Sequence, residues 1–407
     1  MFSMKKLVFF TEYYFPDDNS TSFYLTNIIR ACAAAWPGSL RVFCAAENPG
    51  AEQLTGDNIR ITRFKGGKLN KNSLVSRVMK FLLITAKFFC AALVQVRKGD
   101  TVFAVTNPAF LLVCLAFLRK CRKFRFVLLV YDIFPEVLIA GGLSSKGSLK
   151  YRLALRIFNW AYDAADTLIV IGRDMREVVA QKIHDPAKIV FIPNWSDTEN
   201  IIPVPKTDNP ILKRYGAEQD FVFSVAGNMG RTQGLDNIAE ALTRGALGAH
   251  SSFFFMGGGA KLEEIRKAVR ERHLERVNVT GRIPAEEQNA MLSVGEVAVI
   301  SLAQGMYGLS VPSKSYFNMA AGKPLLLIAD PGSEIERLID EHKIGWHVPA
   351  GDPDALAEIM KKIQTLPPEV LSEYGARARQ TASECFSEEI ILNRYREVVV
   401  GPQQERS

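Results

Sequence analysis

The stretch Phe221-Val222-Phe223-Ser224-Val225-Ala226-Gly227-Asn228-Met229-Gly230-Arg231-Thr232-Gln233-Gly234-Leu235 reads as a strand, a glycine-rich turn and the start of a helix. Its first six residues carry no charge and end at a glycine, the pattern of a strand covered on both faces of a parallel sheet. Gly227, Gly230 and Gly234 allow the backbone to approach a ligand closely, and amide N–H groups in such a turn can point at an anion. Arg231 adds a planar guanidinium that matches phosphate oxygens. Glycines are common at strand-to-helix turns in any such sheet, so on their own they select no ligand.

The same alternation runs outward in both directions. In the first half, strands are predicted over 6–11, 40–45, 101–106, 126–130, 167–171 and 189–192, with helices over 21–36, 73–96, 109–120, 150–164 and 174–182. In the second half, strands are predicted over 221–226, 252–256, 277–280, 297–300 and 324–328. The helices there fall over 234–243, 260–272, 285–294, 313–321, 333–341, 352–365 and 388–399. Pro193-Asn194-Trp195 closes the first series, and Ile202-Pro203-Val204-Pro205 through Pro210 reads as a loose linker. The expected class is α/β, with a first domain over 1–195, a second over 196–385 and a terminal helix, 386–407, packing back on the first. Two doubly wound, Rossmann-like domains of this kind would face a central cleft, with ligands at the carboxyl ends of the strands.

Composition narrows the classes. The chain has 407 residues, 48% of them hydrophobic and 23% charged, which suits two or three domains with real cores and excludes a disordered chain. Its six cysteines form no C-x-x-C pair and its five histidines no H-x-x-x-H pair, so neither a disulfide framework nor a metal centre is expected, and no cofactor. Met1-Phe2-Ser3-Met4-Lys5-Lys6 leads into only four apolar residues, Leu7-Val8-Phe9-Phe10, a strand rather than a cleavable signal sequence.

Charge is concentrated. Between Arg60 and Arg125 fifteen Lys/Arg face one acid, Asp100, although the whole chain carries only +7. Such a block asks for an anionic partner, nucleic acid or a membrane surface. The run Phe81 to Val96, containing Lys87, is flanked by Arg77, Lys80, Arg97 and Lys98, and Phe110 to Leu118 precedes Arg119-Lys120-Cys121-Arg122-Lys123. A spanning helix needs about 20 apolar residues, so these read as amphipathic helices lying in the headgroup region of an anionic membrane, without nucleic acid. The alternative is core-facing helices with solvated basic edges.

Two further loops carry anion-site composition. In Gly308-Leu309-Ser310-Val311-Pro312-Ser313-Lys314, Pro312 suits a first helical turn, Ser310 and Ser313 offer hydroxyls and Lys314 a full charge. The alternative is a capped helix with a surface lysine. Gly257-Gly258-Gly259 follows a strand, but Ala260-Lys261-Leu262 breaks the G-x-G-x-x-G spacing of a dinucleotide site.

Taken together, the stretches 227–235, Gly281-Arg282-Ile283-Pro284, 308–314 and Met319-Ala320-Ala321-Gly322-Lys323-Pro324 resemble the GT-B fold glycosyltransferases of family 4. The branch they resemble is the WbuB- and colanic-acid-type surface polysaccharide transferases, which Asp132-Ile133-Phe134-Pro135-Glu136 also resembles. The resemblance implies a retaining transferase that moves a sugar from a nucleotide-diphosphate donor, UDP-type, to a polyprenyl-diphosphate-linked glycan on the inner face of the plasma membrane. It implies that Arg231 and Lys314 hold the diphosphate together with Gly227, Asn228, Gly230, Gln233 and Ser313. The backbone of Arg282 and Ile283 would meet the base, and Gly308, Leu309 and Ser310 would line the sugar. The loop from Tyr14 to Thr21, with Asn19, Ser20 and Thr21, would form the acceptor side. Asp132 is the candidate for orienting the acceptor hydroxyl, with a helix cap or turn as its alternative role. The family's E-x7-E carboxylates are absent: Leu309 and Phe317 occupy their places, and Asn228 and Gln233 replace the usual Arg and Lys of the glycine loop. These absences motivate a second reading, a catalytically silent GT-B scaffold that binds a partner.

Overall fold

A computed structural model describes residues 5–17, 19–46, 58–65, 74–140 and 147–401. Outside them lie Met1–Met4, Asp18 of the expected acceptor loop, and Lys68 and Lys71 of the basic block, as does the side chain of Arg77. The chain divides into two units, residues 1–193 with 389–407, and residues 194–388.

Unit 1 runs β1 (Leu7–Thr11), α1 (Ser20–Ala35), β2 (Leu40–Ala46), β3 (Ile59–Lys65), α2 (Leu74–Gln95), β4 (Thr101–Val105), α3 (Ala109–Arg122) and β5 (Arg125–Val130). It continues with α4 (Val137–Ala140), α5 (Leu149–Asp163), β6 (Thr167–Val170), α6 (Arg173–Ala180) and β7 (Ile189–Phe191). Its seven strands are all parallel in the order β3-β2-β1-β4-β5-β6-β7. The direction of winding therefore reverses between β1 and β4, where the crevice of such a sheet opens. Helix α2 turns Ile84, Phe88 and Ala92 into the core while Leu82, Leu83, Leu93 and Val94 stay exposed. Among the described residues, no helix is long and apolar enough to cross a membrane.

Unit 2 runs α7 (Pro210–Tyr215), β8 (Phe221–Ala226), α8 (Leu235–Thr243), β9 (Ser251–Met256), α9 (Leu262–Glu271), β10 (Val277–Gly281), α10 (Gln288–Leu292) and β11 (Val297–Ser301). There follow α11 (Lys314–Ala320), β12 (Leu325–Ala329), α12 (Glu334–His342), β13 (Gly345–Pro349), α13 (Pro353–Gln364) and α14 (Pro368–Cys385). The last helix, α15 (Glu388–Val400), folds with unit 1 from residue 389 onward. Arg125 donates to the carbonyls of Val398 and Val399 at its carboxyl end, at 2.5 and 2.9 Å. Such a cation complements the helix dipole.

The six strands of unit 2 are again parallel, in the order β10-β9-β8-β11-β12-β13, with the reversal between β8 and β11. Side chains of a strand alternate between faces, so Phe223, Val225, Phe253 and Phe255 enter one core while Val222, Phe254 and Met256 enter the other. That is why these strands read as unbroken apolar runs.

The stretch expected to be a loose linker is tied down in unit 2. Val204 N–H donates to Ser293 Oγ at 2.9 Å, Lys206 pairs with Glu296 at 2.6 Å, and buried Asn209 caps α7. Its prolines fix an extended path across the unit instead of loosening it. Two strands, β3 and β13, and helix α14 also lie outside the sequence expectations.

Candidate active site

The carboxyl ends of β8 and β11 meet at the reversal point of unit 2, and their loops are joined. Ala303 N–H donates to Thr232 O at 2.9 Å. A Cβ on Gly234 would lie 2.8 Å from Leu302 O, and its φ is +57°, so glycine is required there. The loop after β9 closes on the same place: Met229 N–H donates to Gly258 O at 2.7 Å and Lys261 N–H to Met229 O at 3.0 Å. Gly257 and Gly259 have φ of +137° and +145°, and a Cβ would come within 1.9 Å of Gly227 O and 2.4 Å of Met229 O respectively. The glycine run 257–259 is thus there to let two loops touch. Backbone conformation fixes the 227–234 loop from both sides, with Gly230 half-buried and Arg231 exposed between them.

Lys314 opens α11 directly after the β11 loop. Part of its stem is accessible, but Nζ is buried and has no hydrogen-bond partner among the described residues. Burial without a counter-charge lowers the ammonium from 10.5 to about 8. The surface-lysine alternative is therefore set aside: this is an uncompensated buried cation, costly unless an anion joins it. Gln233 Oε1, on the joined β8 loop, is likewise buried without a partner among the described residues. Helix α14 holds α11 in position. A Cβ on Gly375 would stand 2.4 Å from Gly322 O, and Arg379 donates to the carbonyls of Ala320 and Ile201. Helix α11 starts at Lys314, so Pro312 lies before it instead of in its first turn, and Ser313 at the N-cap makes no side-chain capping bond.

Other expected donor residues fall on the same edge of unit 2. Asn228 is exposed, and its Oδ1 lies 2.7 Å from where a Gly259 Cβ would be. Arg282 is exposed and lies across Gly258, with Nε 3.2 Å from that glycine's Cβ position, while Ile283 packs on a core cluster. Gly308 has φ of +66°, Leu309 is buried and Ser310 is half-buried.

In unit 1, Asp132 follows β5 and its N–H donates to Thr106 Oγ1 at 3.3 Å. The rest of its motif is anchored: Phe134 N–H donates to Tyr162 Oη at 3.1 Å, the Phe134 ring stacks on Phe158, and Glu136 pairs with buried Lys182. Asn19 caps α1 through Ser22 N–H at 2.9 Å, and Ser20 and Thr21 form the first turn of that helix. Sequence reasoning missed Glu12, which follows β1 at the reversal point and is 3% exposed. Desolvation raises its carboxyl, opposed by Lys80 at 3.7 Å and by Asn107, and its Oε2 has no hydrogen-bond partner among the described residues. An acid directly after an apolar strand was the available signal.

Residues 21–195 match the family described as Glycosyl transferase 4-like domain, and residues 220–365 match Glycosyl transferases group 1. The chain is 37% identical over 394 residues to a protein of Pseudomonas aeruginosa named as a probable glycosyltransferase, WbjE, covering 96% of this chain and 97% of that one. It is 23% identical over 303 residues to an Escherichia coli protein named for colanic acid biosynthesis, WcaI, covering 73% of each. The crystal structure of Anabaena HepE in complex with UDP and glucose superimposes with a TM-score of 0.74 at 15% identity, covering 98% of this chain and 100% of that one. With its two doubly wound parallel sheets, the chain belongs to the GT-B glycosyltransferases, with a glycosyl transferase 4-like first half and a group 1 second half.

Proposed function

We propose that the protein transfers a sugar, with retention, from a UDP-type donor to a lipid-linked glycan in bacterial surface polysaccharide synthesis, working on the cytoplasmic face of the membrane. The observation that carries the donor part is the buried ammonium of Lys314, unpartnered among the described residues, at the end of the β11 loop whose start is bonded to the glycine loop. A diphosphate supplies the missing charge, and Arg231, Gln233 and Ser313 stand on the same joined loops. The anomeric C–O bond breaks with its electron pair on the phosphate oxygen. The acceptor oxygen bonds to the anomeric carbon on the same face, and its proton passes to the departing phosphate. Fixed cations stabilise the charge that builds on the leaving group; removing one such group costs about 10²–10³ in rate. Unit 1 supplies the acceptor side, with Asp132 orienting the hydroxyl, and docks on an anionic membrane.

The UDP assignment takes support from HepE, and the polysaccharide assignment from WcaI. Leu309 and Phe317, in place of carboxylates, favour the silent-scaffold reading. Assaying UDP-sugar cleavage and glycan extension separates the two. Lys314→Ala and Arg231→Ala should each lower turnover at least tenfold while the protein still folds, as a cooperative thermal melt shows. Unchanged turnover in both discards the diphosphate assignment, and no turnover in the wild type across UDP-, GDP- and dTDP-sugars favours the scaffold.

A further inference from the structure

At the amino-terminal edge of the unit 1 sheet, opposite the edge that carries Glu12 and Asp132, lies an open hollow of about 810 Å³. Lys5, Arg119, Lys120, Lys123 and Arg125 line it, with Asp166 the one carboxylate. Asp166 is already engaged by Phe126 N–H at 2.7 Å and Arg119 Nε at 2.9 Å. Arg125 is engaged by the last carbonyls of α15. Lys5, Lys120 and Lys123 have no carboxylate partner among the described residues. Lys120 and Lys123 also complement the carboxyl end of α3, but Lys5 comes from the segment before β1 and owes nothing to that helix.

Two apolar stripes run down to this hollow. On α3, Phe110, Phe117 and Lys120 share one helix face, and Phe117 is 59% exposed. On α5, Leu149, Leu153, Ile157 and Trp160 share one face, and Leu149 is 80% exposed. Helices α3 and α5 pack side by side, and Lys120 lies over the Trp160 ring at 5.1 Å, where the stripes end. Helix α2, packed against α3, adds Leu82, Leu83 and Val94. Apolar side chains of this kind enter the acyl boundary while lysines meet phosphates at the headgroup level.

We propose that this hollow is a binding site for the phosphate of an anionic phospholipid, fixing the end of the α2–α3–α5 face that lies farthest from the chemistry. The proposal rests on the membrane-docking part of the function above and names the lipid group it recognises. A soluble phosphate ester shares the chemistry, but the adjoining apolar stripes favour the lipid.

Flotation of the full chain with phosphatidylglycerol-containing and pure phosphatidylcholine vesicles tests it. The hollow variant Lys5→Gln/Lys120→Gln/Lys123→Gln is compared with Lys213→Gln/Lys361→Gln/Lys362→Gln, which loses the same charge from exposed lysines of unit 2. The hollow variant should partition onto anionic vesicles about a hundredfold less than wild type, at roughly 1 kcal/mol per lysine. The control should stay near wild type, with UDP affinity and melting unchanged in both. Equal losses in the two variants, or none in either, overturn the site. Binding of glycerol 3-phosphate without vesicles, abolished in the hollow variant, overturns the lipid assignment. A wild type that never floats removes the docking reading itself, while UDP affinity reports on the donor reading separately.

Discussion

The lone ammonium of Lys314 makes donor binding depend on pH in a calculable way. Burial puts its pKa at about 8 in the free protein, so it is about 90% protonated at pH 7 and about 10% at pH 9. A diphosphate beside it favours the charged form and raises that pKa. Binding above pH 8 must therefore take up a proton, and affinity falls as pH rises. The terminal phosphate of UDP, with a second pKa of about 6, stays dianionic across this window and adds no slope. UDP affinity should fall about tenfold between pH 7 and pH 9, with close to one proton absorbed per UDP at pH 9. Calorimetry in two buffers of different ionisation enthalpy measures both quantities. In Lys314→Gln the affinity should be weak at pH 7 and flat with pH. A flat wild-type profile, or an unchanged slope in the variant, refutes the assignment of the charge to Lys314.

The same buried charge weakens the ligand-free fold. Its folded pKa lies below the unfolded value of 10.5, so the penalty is full below about pH 8 and disappears above 10.5. Lys314→Met should therefore raise stability by up to about 3 kcal/mol at pH 7, with the gain vanishing near pH 10.5 in thermal or urea melts; a destabilised variant at pH 7 would contradict the penalty. Gly259→Ala, whose Cβ would meet Met229 O at 2.4 Å, should cost about 1–3 kcal/mol and weaken UDP binding by displacing the glycine loop. Unchanged melting and affinity would mean that the contact between the loops is not needed.

How much of this was legible follows the physics of each element. Strands β8, β9, β11 and β12 are buried on both faces, so their apolar runs stand out in sequence. Edge strands have no such run: β3 alternates Ile59, Arg60, Ile61, Thr62 and Arg63 with half its side chains in water, and reads as part of a basic block. Strand β13 is five residues holding Gly345 and Pro349, which argue against a strand until its pairing with β12 is seen. Helix α14 runs unbroken through Gly375, a poor helix former kept because the α11 turn passes against it.

At the site, the position of Lys314 on a loop-to-helix junction could be read from Gly308 to Ser313. Its buried nitrogen could not, because lysine in sequence reads as surface and only the packing of α11 covers it. Glu12 was missed for the converse reason. A single carboxylate has no spacing to detect, and its setting depends on the distant Lys80 and Asn107.

A crystal structure with UDP bound addresses the donor assignment most directly. The terminal phosphate oxygens should lie within hydrogen-bonding distance of Lys314 Nζ, with the diphosphate against the 227–234 loop. Nucleotide seated elsewhere, with that nitrogen still unpartnered, would contradict the account.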